Sequence, residues 1–295
     1  MSNGLSVYQT VTNSIIEELK QGVVPWVRPW KSSACPFPRN VISERPYRGV
    51  NVLLLWATAS TRSYANPGWL TFRQARELGG SVREGERSTA IVYAAKTAKV
   101  AVNDSTEPEE KNFRFLKFYS VFNVEQTTGL PERYYGAPTP KPLGQLHVHV
   151  ELFLGRIGAK VRHGGTEAFY SPAEDIIVLP KRDDFESLRH YYATSLHEHV
   201  HYTGHPRRLN RDLKGRFGSR SYAGEELVAE LGAAFLCSKL EIQGELRHAA
   251  YIASWLELLK DDSRAIFTAA SAASKATDYL CSFSEKSLPT EAVPA

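Results

Sequence analysis

Residues 197–201 read His-Glu-His-Val-His, and from residue 225 the chain reads Glu225-Glu226-Leu227-Val228-Ala229-Glu230. On a helix, His197 and His201 stand about one turn apart on one face, so their imidazoles can share a metal ion. Glu198 lies beside that face, where a carboxylate can act as general base toward a water at the ion's open position. A catalytic zinc takes three protein ligands and keeps a fourth position free. The acidic run that begins at Glu225 is the natural source of the third.

The surroundings suit a helix. Asp183 with Glu186 three residues on has the form of a capping box, and Gly204 supplies a stop. Leu188, Tyr192, Leu196 and Val200 recur at near-helical spacing, giving the helix a buried side opposite the metal face. His199 points away from that face and reads as a packing or surface histidine. Three residues compete for the third ligand position. Glu226 and Glu230 are one turn apart on a second helix expected over residues 225–240. The string is similar to the thermolysin-like pattern, in which one acidic residue ligates zinc and another, a turn later, orients a ligating imidazole. That resemblance implies Glu226 as ligand and Glu230 as the orienting partner. His205 is the third choice, because an unbroken helix carries it too far along the axis from His197. A longer metzincin-type pattern is missing, since position 207 is Arg.

The chain has 295 residues, 42% apolar and 23% charged, which fits two ordinary globular domains, each with its own core. No apolar run approaches the eighteen or so residues of a membrane span, and the N-terminus lacks a signal-peptide core. Cys35, Cys237 and Cys281 are scattered and odd in number, as expected of thiols in a reducing compartment. A cytoplasmic protein with no membrane partner is expected.

Residues 1–140 hold 17 Lys and Arg against 12 Asp and Glu, whereas residues 141–295 hold 19 against 20. The basic excess therefore sits in the first half. There the segment Pro25-Trp26-Val27-Arg28-Pro29-Trp30-Lys31 interleaves indoles with cations, and Tyr47-Arg48 follows. Single-strand binders combine cationic grooves with aromatic faces for bases. Trp26, Arg28, Trp30, Lys31, Tyr47, Arg48, Lys96, Arg114 and Lys117 are the candidate contacts with single-stranded DNA; Tyr119 is close to them in sequence. Trp69, Tyr93 and Phe115 are assigned instead to the core.

Along the chain, Val7, Val11, Ile15 and Leu19 mark an amphipathic opening helix, followed by short helices over residues 51–59 and 72–78. Residues 90–95 and 113–124 read as strands around an acidic loop over 103–110. Residues 131–144 contain four prolines and include the linker, set at 136–144. Beyond it come a helix near 146–157, strands at 168–170 and 175–179, the two metal-site helices, and further helices near 246–259 and 264–281. A small sheet followed by this helix pair matches a minimal zincin-like domain. In that fold an extended strand beside the metal can accept a peptide by strand addition, and residues 169–179 supply the edge.

The chain resembles the ArdC-type antirestriction proteins of conjugative plasmids over nearly its full length. The resemblance lies in Pro25-Trp26, Pro29-Trp30-Lys31, Arg45-Pro46-Tyr47-Arg48-Gly49-Val50-Asn51 and Trp69-Leu70-Thr71-Phe72 with Gln74-Ala75. It continues in His197-Glu198 with His201, Thr203-Gly204-His205, and in Tyr222-Ala223 with Glu225-Glu226-Leu227-Val228-Ala229-Glu230-Leu231-Gly232. His199 departs from the family pattern, which has an apolar residue there. The resemblance implies an α+β fold. A single-stranded-DNA-binding α+β domain (1–135) is followed, after the linker, by a mainly helical zincin-like metallopeptidase domain with a small sheet (145–283) and a flexible tail (284–295). It also implies protection of transferred plasmid DNA from restriction. The expected cofactor is Zn2+ or another divalent transition metal, held by His197, His201 and Glu226, with Glu198 as the catalytic base and a protein or peptide as substrate. The alternative is a protein that masks single-stranded DNA without catalysis, its metal site purely structural.

Overall fold

The structure is a computed structural model that describes residues 6–21, 24, 26, 37–101, 109–136, 143–213, 219–242 and 251–285. Helix α1 (Val7–Lys20) opens at Ser6, whose hydroxyl accepts a hydrogen bond from the Gln9 amide, and it buries Val11, Ile15, Ile16 and Leu19. Strand β1 (Arg39–Asn40), helix α2 (Val50–Thr61), strand β2 (Gly68–Leu70), helix α3 (Phe72–Glu77) and strand β3 (Ser81–Val82) follow. Strands β4 (Thr89–Ala101) and β5 (Glu109–Asn123) form a long antiparallel hairpin, and β6 (Thr127–Thr128) pairs with β3. The main sheet runs β1-β2-β5-β4. The hairpin outreaches the apolar stretches expected at 90–95 and 113–124, because backbone pairing continues through polar residues to Ala101 opposite Glu109. Of the acidic loop expected at 103–110, residues 102–108 lie outside the described residues, and Glu109 and Glu110 belong to β5.

The second half begins with α4 (Leu143–Ile157), inside the stretch expected to be linker. A sheet follows in which β7 (Lys160–His163) runs parallel to the central β9 (Ile176–Leu179), and β8 (Phe169–Ser171) lies antiparallel on the other side of β9. β7 was not legible in the sequence: its four residues are exposed and carry no apolar alternation. The expected edge over 169–179 therefore divides, with β8 at the sheet margin and β9 in the middle. Helices α5 (Leu188–Thr203), α6 (Arg220–Lys239), α7 (Ile252–Asp261) and α8 (Ala265–Glu285) complete the chain. The cap of α5 is Ser187, whose hydroxyl accepts from the His190 amide at 3.1 Å; Asp183 and Asp184 sit in a preceding 3-10 turn. Gly204 ends α5, as its position in the sequence suggests.

The crossing of α5 and α6 positions the site. A Cβ on Gly232 would stand 2.7 Å from a methyl of Val200, so a larger residue there would push the helices apart. α6 is buried almost all round: Leu227, Ala229, Leu231, Ala233, Phe235 and Leu236 are fully enclosed. The apolar cluster around them also contains Val11, Ile15 and Leu19 of α1 and Val52, Leu53 and Trp56 of α2. Two smaller apolar clusters, one around Leu70 and Val124 and one around Leu55 and Trp69, belong to the first half alone. The amphipathic face of α1 and part of the apolar surface of α2 bury against the C-terminal helices, and the principal core runs through both halves.

Candidate metal centre

The Nε2 atoms of His197 and His201 lie 3.2 Å apart. One Glu226 oxygen is 3.5 Å from His197 Nε2, and the other is 3.4 Å from His201 Nε2. Two ligands about 2.0–2.1 Å from a tetrahedral ion are separated by roughly 3.3–3.4 Å, so each of these contacts suits a shared ion, and one ligand atom from each of the three residues falls within 4.8 Å of the other two. The donor set fits a divalent metal. His205 does not join it: α5 ends at Thr203, and the Nδ1 of His205 accepts instead from the Arg207 amide. Glu230 faces the far side of His197, its carboxylate 3.5 Å from Nδ1. An outer carboxylate in that position fixes the tautomer and orientation of a ligating imidazole.

His201 has an equivalent partner that the sequence pattern did not single out. Its Nδ1 is 3.1 Å from Glu225, and Glu225 is held by two bonds from Arg211 at 2.7 and 2.9 Å. Arg211 also donates to the Thr203 hydroxyl and the Val200 carbonyl, tying the segment after α5 back to the end of that helix. Glu225 directly precedes Glu226 and so could have been noticed; Arg211 carried no local signal.

The electrostatics follow from burial and close opposite charges. Burial pushes the His201 imidazole down, but Glu225 and Glu226 outweigh it and raise the ring to about 10. His197 is also raised, since Glu226 and Glu230 overcome its burial. Glu226 is driven well below the usual carboxylate range, its two imidazoles outweighing burial. Glu198, only 6% exposed, moves the other way: burial lifts its carboxyl, which receives a backbone hydrogen bond from Tyr170 of β8. His199 is fully buried with no carboxylate beside it; its Nδ1 bonds the Ser195 carbonyl, and burial lowers it to about 4.

His197, Glu198, His201, Glu225 and Glu226 line a cavity of about 250 Å3 whose walls also include Phe169, Tyr170 and Pro172 of the β8 margin, Tyr222 and Tyr251. The two tyrosine hydroxyls are 3.4 Å apart, and burial raises both phenols. Neither was singled out as a site residue, although Tyr222 lies one turn before Glu226. The β8 strand is itself clamped: Arg208 donates to the Tyr170 hydroxyl at 2.9 Å and forms an ion pair with Asp175.

Residues 148–272 match the zincin-like metallopeptidase family, and residues 6–122 match the N-terminal domain of anti-restriction factor ArdC. The metal-free crystal structure of the antirestriction ArdC protein from plasmid R388 is similar over 97% of this chain and 100% of its own, with a TM-score of 0.82 and 38% identity. The chain belongs to the ArdC antirestriction family. The Mn(II)-bound crystal structure of the R388 ArdC protein is similar over 96% of this chain and 100% of its own, with a TM-score of 0.78 and 37% identity. Among curated proteins, the uncharacterized protein y4eC of Sinorhizobium fredii is 40% identical, covering 93% of this chain and 91% of its own. A DNA primase TraC of Escherichia coli is 36% identical over 95% of this chain, which spans 27% of that primase. The ArdC likeness thus covers both halves, as the sequence motifs imply.

The residues expected to contact DNA are placed unevenly. Trp26 is a correction: it is 5% exposed, with its ring centroid 5.6 Å from that of Trp255, and no face is left for a base. Arg28, Trp30 and Lys31 lie outside the described residues. Tyr47 is half-buried against the apolar clusters, and Arg48 forms an ion pair with Asp278 of α8. Lys96 and Arg114 are paired in register on the hairpin, and Lys117 is exposed opposite Tyr93. Trp69 is core, as expected. Tyr93 is not: it is 57% exposed and packs edge-on against Tyr119, itself 49% exposed, with centroids 5.5 Å apart. Among the described residues, no helix is long and apolar enough to cross a membrane.

Proposed function

We propose that this protein is a cytoplasmic antirestriction factor that binds single-stranded DNA and hydrolyses a peptide bond at a metal-dependent site, protecting plasmid DNA that enters a new host. The observation that carries the reading is the convergence of two imidazoles and one carboxylate on a point beside a buried Glu198, within a cavity walled by a sheet margin. Zinc is the ion favoured by this nitrogen and carboxylate donor set, and manganese, bound by the R388 relative, is the rival. A divalent ion in the site supplies Lewis-acid polarisation of the scissile carbonyl and of a water.

The chain's own groups do the rest. Glu198, its carboxyl lifted by burial, accepts in its ionised form the proton of the attacking water and returns it to the leaving amine. An extended substrate lies along β8, whose only strand partner among the described residues is β9. Glu225 and Glu230 hold the two imidazoles in the orientation in which Nε2 faces the ion. The Tyr222 hydroxyl, on the cavity wall, is placed to donate a hydrogen bond to the developing oxyanion.

On the hairpin, Tyr93, Tyr119 and Lys117 combine aromatic faces with a cation, the pairing that single strands require. The test is Glu198→Gln, assayed for metal content, for cleavage of a fluorogenic peptide library and for protection of DNA against restriction. Cleavage should fall by about 10²- to 10⁴-fold with metal retained. Undiminished cleavage would remove Glu198 as base. Full protection by the inactive variant would favour masking of DNA without catalysis.

A further inference from the structure

A second cavity, of about 680 Å3, lies on the seam between the two halves. Tyr8 of α1 forms one wall, Arg208, Leu209 and Arg211 of the loop after α5 another, and the first three turns of α8 the floor. Four of its lining residues are cations and, among the described residues, none is acidic. Two of the four are already engaged: Arg208 by Asp175 and Arg211 by Glu225, neither of which lines the cavity. Arg264 and Lys275 are exposed, and neither forms an ion pair among the described residues. Arg264 lies over the Tyr8 ring, 5.0 Å from its centroid, and Tyr8 meets Phe267 edge-on at 4.7 Å. The hydroxyls of Thr268 and Ser271 complete the lining between the two cations.

This combination selects a ligand. Paired aromatic rings beside unneutralised cations suit a base attached to a phosphate, whereas an acidic peptide has no use for the rings. Length selects further. Arg264 immediately precedes α8 and Lys275 lies three turns into it, a rise of about 16 Å, too far for both to hold one phosphate but suited to separate phosphates of one strand. We propose that this cavity is a track for two or three nucleotides of single-stranded DNA, with phosphates at Arg264 and Lys275 and a base against Tyr8 and Phe267. It rests on the single-strand reading above and extends it beyond the hairpin, onto a surface whose back wall is shared with the groups that hold β8 and His201.

The experiment measures binding of a fluorescent ten-nucleotide dT strand to the full chain across a salt series. It compares wild type, Arg264→Gln with Lys275→Gln, and Tyr93→Ala with Tyr119→Ala, each checked for an unchanged melting temperature. The double glutamine variant should bind at least about tenfold more weakly. Its salt slope should fall by about 0.7 for each phosphate that the variant leaves without a cation. If wild type and the tyrosine variant both respond as the hairpin reading requires while the glutamine variant binds like wild type, the track is overturned and single-strand binding by the hairpin stands. No binding by wild type would overturn both. An oligoglutamate of equal length that competes as well as the strand would overturn the assignment to nucleic acid.

Discussion

The α5–α6 helix pair and the β4–β5 hairpin break the same rule in opposite directions. In the helix pair, carboxylates and imidazoles that ordinarily face water are enclosed; on the hairpin, tyrosines that ordinarily help fill a core stand in solvent. Burying a charge costs several kcal/mol unless it is paired, and leaving large rings exposed forgoes the gain of burying them. In the function proposed above, each departure serves a partner: an ion in one region, a nucleic-acid strand in the other. The regions differ in how closely they are built. Each imidazole of the pair meets two carboxylates, and one of those is itself held by Arg211. The hairpin tyrosines meet mainly each other.

The contrast can be tested from its strongest consequence downward. Trp26→Ala should destabilise the fold by about 3–5 kcal/mol, as removal of a packed indole does, while leaving single-strand affinity of the folded protein intact. Chemical denaturation and a binding titration read the two separately, and weaker binding at full stability would return Trp26 to the DNA surface.

His199 offers an acid-sensitive probe of the buried region. Its folded pKa, about 4, lies below the unfolded value of 6.5, so the unfolded chain binds the extra proton between those values. Stability from the neutral ring is complete above pH 6.5 and is lost as the pH falls toward 4, on the order of 3 kcal/mol in all. Urea melts of the metal-free protein should show His199→Leu losing less stability than wild type across that window. Parallel losses in the two proteins would contradict the burial argument.

Glu230→Ala removes only the group behind His197. Metal affinity, read by competition with a chelator, should weaken by about 10- to 100-fold, with DNA binding unchanged. The smallest effect on stability is expected on the hairpin. Tyr119→Ala should leave the melting temperature nearly unaltered and reduce single-strand affinity by about 1–3 kcal/mol. A larger effect on stability than on binding would make the pair structural and erase the contrast.

Much of the helix pair was legible in sequence, because helical spacing is a local property. His197 and His201 share a face whatever surrounds them, and Glu226 and Glu230 do likewise. The cap of α5 was misread by a few residues: Asp183 with Glu186 has the form of a capping box but lies in a 3-10 turn, and the helix starts after Ser187, which caps it with its hydroxyl alone. Arg211 and Arg208 were invisible: their partners, Glu225 and Asp175, lie 14 and 33 residues away. On the first half, sequence proximity of rings and cations could not separate the core indole Trp26 from the solvent-facing Tyr93, because a pattern of aromatics does not state which face another helix will cover.

The sequence by itself determined which residue types could hold a metal, which helices would carry them, and the ArdC kinship carried by the motifs. Tertiary structure decided that Gly232 lets α5 approach α6 closely enough for the two sets of side chains to meet. It also decided that α1 and α2 bury against α7 and α8, taking Trp26 inward and opening the cationic cavity beside Tyr8. The physical reason is one of range. Periodicity along a helix is set within a few residues, whereas exposure and charge pairing depend on chain segments that meet only after the core has formed.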